Sequence, residues 1–204
     1  MKEILFATGN KAKLDQFQFV SDNSDFPARI VSLYDQHPDV SSYDEEYATQ
    51  EQIVEEGARE IYKQIQKPIV VEDSIIEVDA LGGKPGLRSN DFLKEHGRGG
   101  LLEKLEKAEN RSAHIISIVG YFNGTVLVSF KTVIEGIIAR EESYKEGEPG
   151  LVGPTEYPFG GGYNAIFIRN DTGKTIADNT AKEGLTLGYR EPNFYALLKY
   201  LHNT

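Results

Sequence analysis

Ile4-Leu5-Phe6-Ala7-Thr8-Gly9-Asn10-Lys11-Ala12-Lys13 decides how this chain begins. Four apolar residues run into Thr-Gly-Asn, and two lysines follow where a helix should start. An apolar run closed by a Gly-containing turn predicts a strand over residues 3–7. Asn10 is a good helix cap, and the pattern behind it predicts a helix over 11–21. Arg29-Ile30-Val31-Ser32-Leu33 reads as a second strand, so strand, helix and strand alternate from the outset, as in an α/β domain. Chemically, the stretch has two readings. Backbone N–H groups at a helix start, a hydroxyl, an amide and lysine ammonium groups suit an anion such as a phosphate chain. The plainer reading is a turn with Asn10 as cap and the lysines in solvent. The Walker pattern, with two glycines flanking four residues before Lys-Ser/Thr, is absent.

Working outward, residues 34–48 are polar and acidic and read as an exposed loop. A helix is expected over 50–66, with Ile53, Gly57, Ile61 and Ile65 at steps of four and Val54 and Ala58 beside them. Thr49 and Gln52 fit a capping box, and Pro68 lies just past the end. Ile69-Val70-Val71 is apolar on both faces, hence a central strand, and it runs into Glu72-Asp73-Ser74. A second short strand is expected to carry Ile75, Ile76 and Val78, followed by a loop at Gly82–Gly86. Leu93–Lys107 reads as a helix interrupted near Gly97–Gly100. Two alternating runs, 112–121 and 125–135, meet at Asn123-Gly124, a strong hairpin signal. Residues 143–162 form a long Gly-, Glu- and Pro-rich loop, and Tyr163–Ile168 reads as a strand before a turn at Asn170–Gly173. Pro192 suits the first turn of a last helix that ends near Leu201.

With 204 residues the chain is long enough for a single domain with a substantial core. No apolar run approaches the roughly 20 residues that span a bilayer. Met1-Lys2-Glu3 leads directly into a strand rather than a signal peptide, so a cytoplasmic location is expected. The absence of cysteine removes disulfides and thiolate chemistry. The net charge of −10 argues against a broad nucleic-acid grip. It leaves room for a small anionic substrate accompanied by a divalent metal, for which carboxylates are ligands.

Glu72 and Asp73 close a buried strand, and ligands of open α/β sheets gather outside the carboxyl ends of strands. Two acids there can orient a water or hold Mg²⁺; the plain alternative is a helix cap or loop charge. Consecutive strand residues point to opposite faces, so the two need not serve one ligand. Glu51 and Glu55 share a helix face, which reads first as a solvated charged surface. His37, His96, His114 and His202 have no metal-ligand spacing, and no Gly-x-Ser-x-Gly elbow occurs.

Taken together, Thr8-Gly9-Asn10-Lys11-Ala12-Lys13-Leu14, Val71-Glu72-Asp73-Ser74 and Ala80-Leu81-Gly82-Gly83-Lys84-Pro85-Gly86 resemble the inosine triphosphate pyrophosphatase family in order and spacing. The likeness extends over nearly the whole chain. It implies an elongated α/β fold with a long mixed β-sheet, flanking helices and two lobes around a central cleft. It also implies a single domain over 1–204, in which the hairpin region at about 112–136 extends the sheet. Further implied are Mg²⁺-dependent hydrolysis of aberrant purine nucleoside triphosphates to monophosphate and pyrophosphate, and a homodimer. By motif, Thr8, Asn10 and Lys13 would hold the triphosphate, and Asp73 would be the base that orients or deprotonates the water. Glu72 would stand by the metal, and Ser74 and the Gly82–Gly86 loop would shape the phosphate and sugar end.

The departures from the family pattern fall in the implied cleft. Gln52 occupies a position where the family carries a metal-binding glutamate, which Glu51 or Glu55 could replace with a shifted helix. In the implied base-binding strand Tyr163 keeps an aromatic and Asn164 replaces an acid. The stacking Phe falls on Gly161, unless Phe159 reaches in. The closing motif keeps Arg190, but Tyr189 stands for a histidine, and the lysine position is Gly184 with Lys182 nearby. Three readings follow: an active pyrophosphatase with altered base recognition, a catalytically weakened homologue that binds or senses a nucleotide, or a structural subunit with no ligand, which the joint retention of Thr-Gly-Asn-Lys-Ala-Lys and Glu-Asp-Ser disfavours.

Overall fold

The computed structural model describes residues 2–143 and 162–204. The expected long loop at 143–162 therefore lies outside the described residues apart from its two ends, and so do Phe159, Gly160 and Gly161. In chain order the elements are β1 (Lys2–Phe6), α1 (Lys11–Asp22), β2 (Ala28–Ser32), α2 (Leu33–Gln36), α3 (Gln50–Ile65), β3 (Ile69–Val78) and β4 (Lys84–Gly86). There follow α4 (Ser89–Lys104), β5 (Ser112–Phe122), β6 (Leu127–Ile138), β7 (Phe167–Arg169), α5 (Ala181–Leu187) and α6 (Glu191–Asn203). The fold is mixed α/β. Seven strands hydrogen-bond in the order β2-β1-β3-β5-β6-β7, with β4 on β3. Among the described residues no helix is long and apolar enough to cross a membrane.

The chain divides into two compact units. The first comprises residues up to Asp73, Ser117–Thr132 and Arg190–Thr204. There β1 pairs in parallel with β2 from Lys2↔Ala28 to Phe6↔Ser32, and with β3 at Phe6↔Val70. Parallel neighbours need a crossover, and α1 supplies the one between β1 and β2. Phe17 on α1 stacks on Phe194 of α6 at 4.2 Å, and Phe6 of β1 meets both edge-on, so a buried aromatic trio ties strand to helices. Helix α3 packs on β5 where Gly120 leaves space: a Cβ there would sit 2.5 Å from Val54 Cγ1. Thr49 caps α3 by accepting from the Gln52 N–H at 3.2 Å, so the Thr49 half of the expected box is present.

The second unit comprises Ser74–Ile116 and Val133–Tyr189. Its core gathers Ile76, Val78, Leu101, Ile134, Ile138, Phe167 and neighbours. Helix α4 is broken at Gly97, whose φ of 63° and ψ of −174° lie outside the helical region, as the glycines of that stretch foretold.

Four local expectations change. Leu33–Gln36 coil into α2 where a loop was expected from residue 34, and Lys84–Gly86 of the expected Gly82–Gly86 loop pair as β4. Residues 69–78 form one continuous strand rather than two, because β4 returns antiparallel against Ile76, Glu77 and Val78 and gives that stretch a partner. Tyr163 and Asn164 lie in a turn, not a strand. Gly162 takes φ 63°, and the N–H groups of Ile166 and Phe167 both donate to the Tyr163 carbonyl at 3.0 Å, so pairing begins only at Phe167. The hairpin of β5 and β6 has a four-residue turn, with Asn123 Oδ1 accepting from the N–H groups of Thr125 and Val126 and Gly124 at φ 94°.

Candidate functional site

The first unit brings the start of α1 against the middle of β3. β1 ends beside β3, and the Ala7 N–H donates to the Val70 carbonyl at 2.8 Å. The turn that follows is internally bonded. Thr8 Oγ1 accepts from the Asn10 N–H at 3.1 Å, and Asn10 Oδ1 caps the helix by accepting from the N–H of Ala12 at 2.9 Å and of Lys13 at 3.4 Å. The two lysines then part. Lys11 makes an exposed pair with Asp15 at 2.8 Å. Lys13 turns inward to the Glu72 carboxylate at 2.8 Å and to the Glu72 carbonyl at 3.3 Å.

Glu72 is fully buried and surrounded by donors. Its Oε1 accepts from Arg190 Nε at 2.9 Å and from Ser117 Oγ at 3.1 Å, while Oε2 faces Lys13. Arg190 stands at the start of α6, and Ser117 on β5 is held by Asn193, whose amide donates to the Ser117 carbonyl at 3.0 Å. Arg190 is braced from behind: its Nη1 donates to Gln16 Oε1 at 3.4 Å, and the Gln16 amide donates to Glu191 through a short bond. Glu191 is fully buried, and burial pushes its carboxyl above the ordinary range against the pull of its own N–H, Arg190 and Gln16.

The sign of the resulting pH effect is definite. A carboxyl whose pKa is raised by folding contributes most stability below its unfolded pKa and loses that contribution as pH rises through the folded value. Glu191→Gln cannot ionise. In urea titrations, the stability difference between variant and parent should therefore drift in the variant's favour from acidic to neutral pH, whatever constant offset the amide brings. A pH-independent difference would show that the Glu191 pKa is the same in the folded and unfolded states.

Asp73 faces the other way along the strand, as alternation requires. The Gln50 amide at the start of α3 donates to the Asp73 carbonyl at 3.1 Å and supports its carboxylate as well. Asp73 Oδ2 is buried and has no hydrogen-bond partner among the described residues. Burial raises the Asp73 pKa; Lys13 pulls it down, Glu72 pushes it up, Gln50 pulls it down, and Glu45 pushes it up. Glu45 comes from the loop before α3, which sequence patterning gave no reason to place here, since acidic loop residues look alike until the loop is docked.

Glu51 is placed elsewhere: it pairs with Lys131 of β6 at 2.7 Å, with both side chains about half exposed. That partner holds its carboxyl below the usual range through a hydrogen bond. Among the described residues no group of three or more His, Asp or Glu side chains is arranged as a metal site. Mg²⁺, however, is commonly held by one or two carboxylates together with substrate phosphates and water. The unpartnered Asp73 oxygen with Glu45 nearby fits such a substrate-borne cation; Glu72, already shared by Lys13, Arg190 and Ser117, fits it less well.

The second unit holds the remaining residues singled out by sequence. Ser74 follows on β3, half-buried. The Tyr163 hydroxyl donates to the Ser89 carbonyl at 2.8 Å, and burial raises its pKa strongly. Asn164 is buried, with its Oδ1 lacking a hydrogen-bond partner among the described residues. Tyr189 is packed in the core. Lys182 is exposed on the first turn of α5, which Thr180 and Glu183 close with a capping box.

The model of the Ham1 family matches residues 4–200. A dITP/XTP pyrophosphatase of Methanopyrus kandleri is 32% identical over 189 residues, covering 92% of this chain and 90% of that protein. A HAM1 protein structure from Coxiella burnetii superposes with a TM-score of 0.79 at 23% identity over the full length of both chains, a likeness of fold. A structure from Mycobacterium abscessus, described as a nucleoside-triphosphatase and dITP/XTP pyrophosphatase, gives a TM-score of 0.66 at 28% identity. It covers 96% of this chain and 98% of that one.

Proposed function

This chain belongs to the Ham1 family, and on that premise we propose that it is a hydrolase cleaving a nucleoside triphosphate at the α–β linkage to a monophosphate and pyrophosphate. The observation that carries the reading is Asp73: a half-buried residue whose Oδ2 is enclosed and has no hydrogen-bond partner among the described residues, within electrostatic reach of Lys13. In the proposed step Asp73 accepts a proton from a water. The water oxygen bonds to phosphorus, the bridging P–O bond breaks, and pyrophosphate leaves. Lys13, with Thr8 and the Asn10 turn, supplies positive charge and donors to the phosphate oxygens. Glu72 acts by holding Lys13 and Arg190 in register. A divalent cation, Mg²⁺ by preference, would sit at Asp73 with Glu45 and the phosphates and would neutralise phosphate charge.

The finer parts belong to the same proposal. Tyr163 and Arg190 keep the family's residue types at positions that resemble base-reading ones, while Asn164, Tyr189 and the displaced Lys182 depart from them, which implies a changed base preference. A homodimer and a cytoplasmic location accompany the reading. Because curated relatives are named for dITP and XTP, those nucleotides come first in the test. Purified protein with Mg²⁺ should release pyrophosphate and monophosphate in equal amounts from at least one purine triphosphate, and a chelator should stop it. Orthophosphate as the first product, or tight nucleotide binding without any release, would overturn the hydrolytic assignment in favour of a nucleotide-binding role.

A further inference from the structure

Residues 41–47, N-terminal to α3, are strapped along that helix. The Ser41 N–H donates to Gln64 Oε1 at 3.0 Å and the Gln64 amide returns a bond to the Ser41 carbonyl at 3.2 Å. The Asp44 N–H donates to Glu60 at 3.1 Å, and the Tyr47 hydroxyl donates to the same carboxylate at 2.5 Å. Gly57, Glu60 and Gln64 are spaced by three and four and so form one face of α3. At Gly57 the ring of Tyr43 lies directly on the helix: a Cβ there would be 2.6 Å from Tyr43 Cδ2 and 2.9 Å from Cγ. Only glycine leaves this seat. The strap delivers the Tyr43 hydroxyl to the acids around Asp73, within electrostatic reach of Glu45, Asp73 and Glu72. A docked loop that brings a neutral phenol among carboxylates adds a donor to a site otherwise rich in acceptors.

We propose that Tyr43 belongs to the nucleotide site: its phenol donates a hydrogen bond to a phosphate oxygen of the bound nucleoside triphosphate, from a ring that Gly57 admits and a strap that Glu60 and Gln64 hold. The proposal rests on reading the Asp73 site as a polyphosphate site. A phenol is protonated at neutral pH, so Tyr43 offers its O–H there as a donor. Hydrogen bonds from a neutral donor to an ionised phosphate are among the stronger ones.

The test uses the full chain and a triphosphate analogue with a non-hydrolysable α–β bridge, titrated by calorimetry, beside steady-state kinetics. Tyr43→Phe keeps the ring on Gly57 and removes only the hydroxyl. It should weaken analogue binding and raise KM by about tenfold, with kcat within about threefold and an unchanged melting temperature. The loss should be equal for inosine, xanthosine and guanosine triphosphate analogues, because the contact is to phosphate. Gly57→Ala, which displaces the ring, should reproduce the binding loss. Parental affinity in Tyr43→Phe, or a loss that depends on the base, overturns the phosphate contact. A parent protein that neither binds nor hydrolyses any nucleotide overturns the function proposed above along with it, whereas a nucleotide-binding parent indifferent to Tyr43→Phe sinks only this proposal.

Discussion

Asp73→Asn should reduce pyrophosphate release by about 10²–10⁴-fold in kcat while leaving binding of the non-hydrolysable analogue in place, the span expected for removing a positioned general base. The physical case is the carboxylate's setting. Burial raises the Asp73 pKa first of all, with Lys13 opposing and Glu72 adding to the rise. A base must be ionised to accept a proton, so the acid limb of kcat/KM should lie above the ordinary aspartate range, with activity falling as pH falls through it. Stability runs the other way. A raised folded pKa means that the contribution to stability is present below the unfolded pKa and is lost as pH rises through the folded one. In chelator at neutral pH, Asp73→Asn should therefore melt no lower than the parent, an inactive protein that is at least as stable. Rates measured across pH with melting curves on the same samples check both halves. An active asparagine variant would remove Asp73 from the chemistry.

Glu72→Ala should be the most destabilising change in the site. It strands Lys13, Arg190 and Ser117 around a cavity where the carboxylate accepted from all three. Removing one partner of a buried ion pair typically costs about 3–5 kcal/mol, because the other charge is left without its counter-ion. Lys13 keeps some exposure, its side chain at 21%, so water can rescue it in part and the lower end of that range applies. Urea midpoints measure the loss, and a change below about 1 kcal/mol would show that the triad is not cohesive. Catalysis should fall too, since Lys13 and Arg190 lose their anchor and small displacements of positioning groups are expensive.

The opening strand, turn and helix, the capped amphipathic α3, the Asn-Gly hairpin and the last helix were legible because each is written in local spacing and turn chemistry. Glu72 and Asp73 were expected at a strand end, but β3 runs on to Val78 and they stand in mid-strand; it is the end of β1 beside Val70 that brings the Thr-Gly-Asn turn to them. Other features could not be read this way. Glu51 finds Lys131 across 80 positions of chain, Glu72 is claimed by residues 13, 117 and 190, and the acidic loop is docked so that Tyr43 and Glu45 reach Asp73. Tyr163 lies in a turn because Gly162 takes a left-handed conformation, which a strand-like run of apolar residues conceals.

By itself, then, the sequence determined that an acid pair lies on a central strand of an α/β sheet that also carries a lysine-bearing helix start, since periodicity and capping act over a few residues. Tertiary structure alone decided the surroundings of each member of that pair: Glu72 turned to three donors, and Asp73 stayed half-buried with an Oδ2 that has no hydrogen-bond partner among the described residues. Alternation guarantees that neighbouring strand residues part to opposite faces, but what waits on each face is brought there by distant segments of chain.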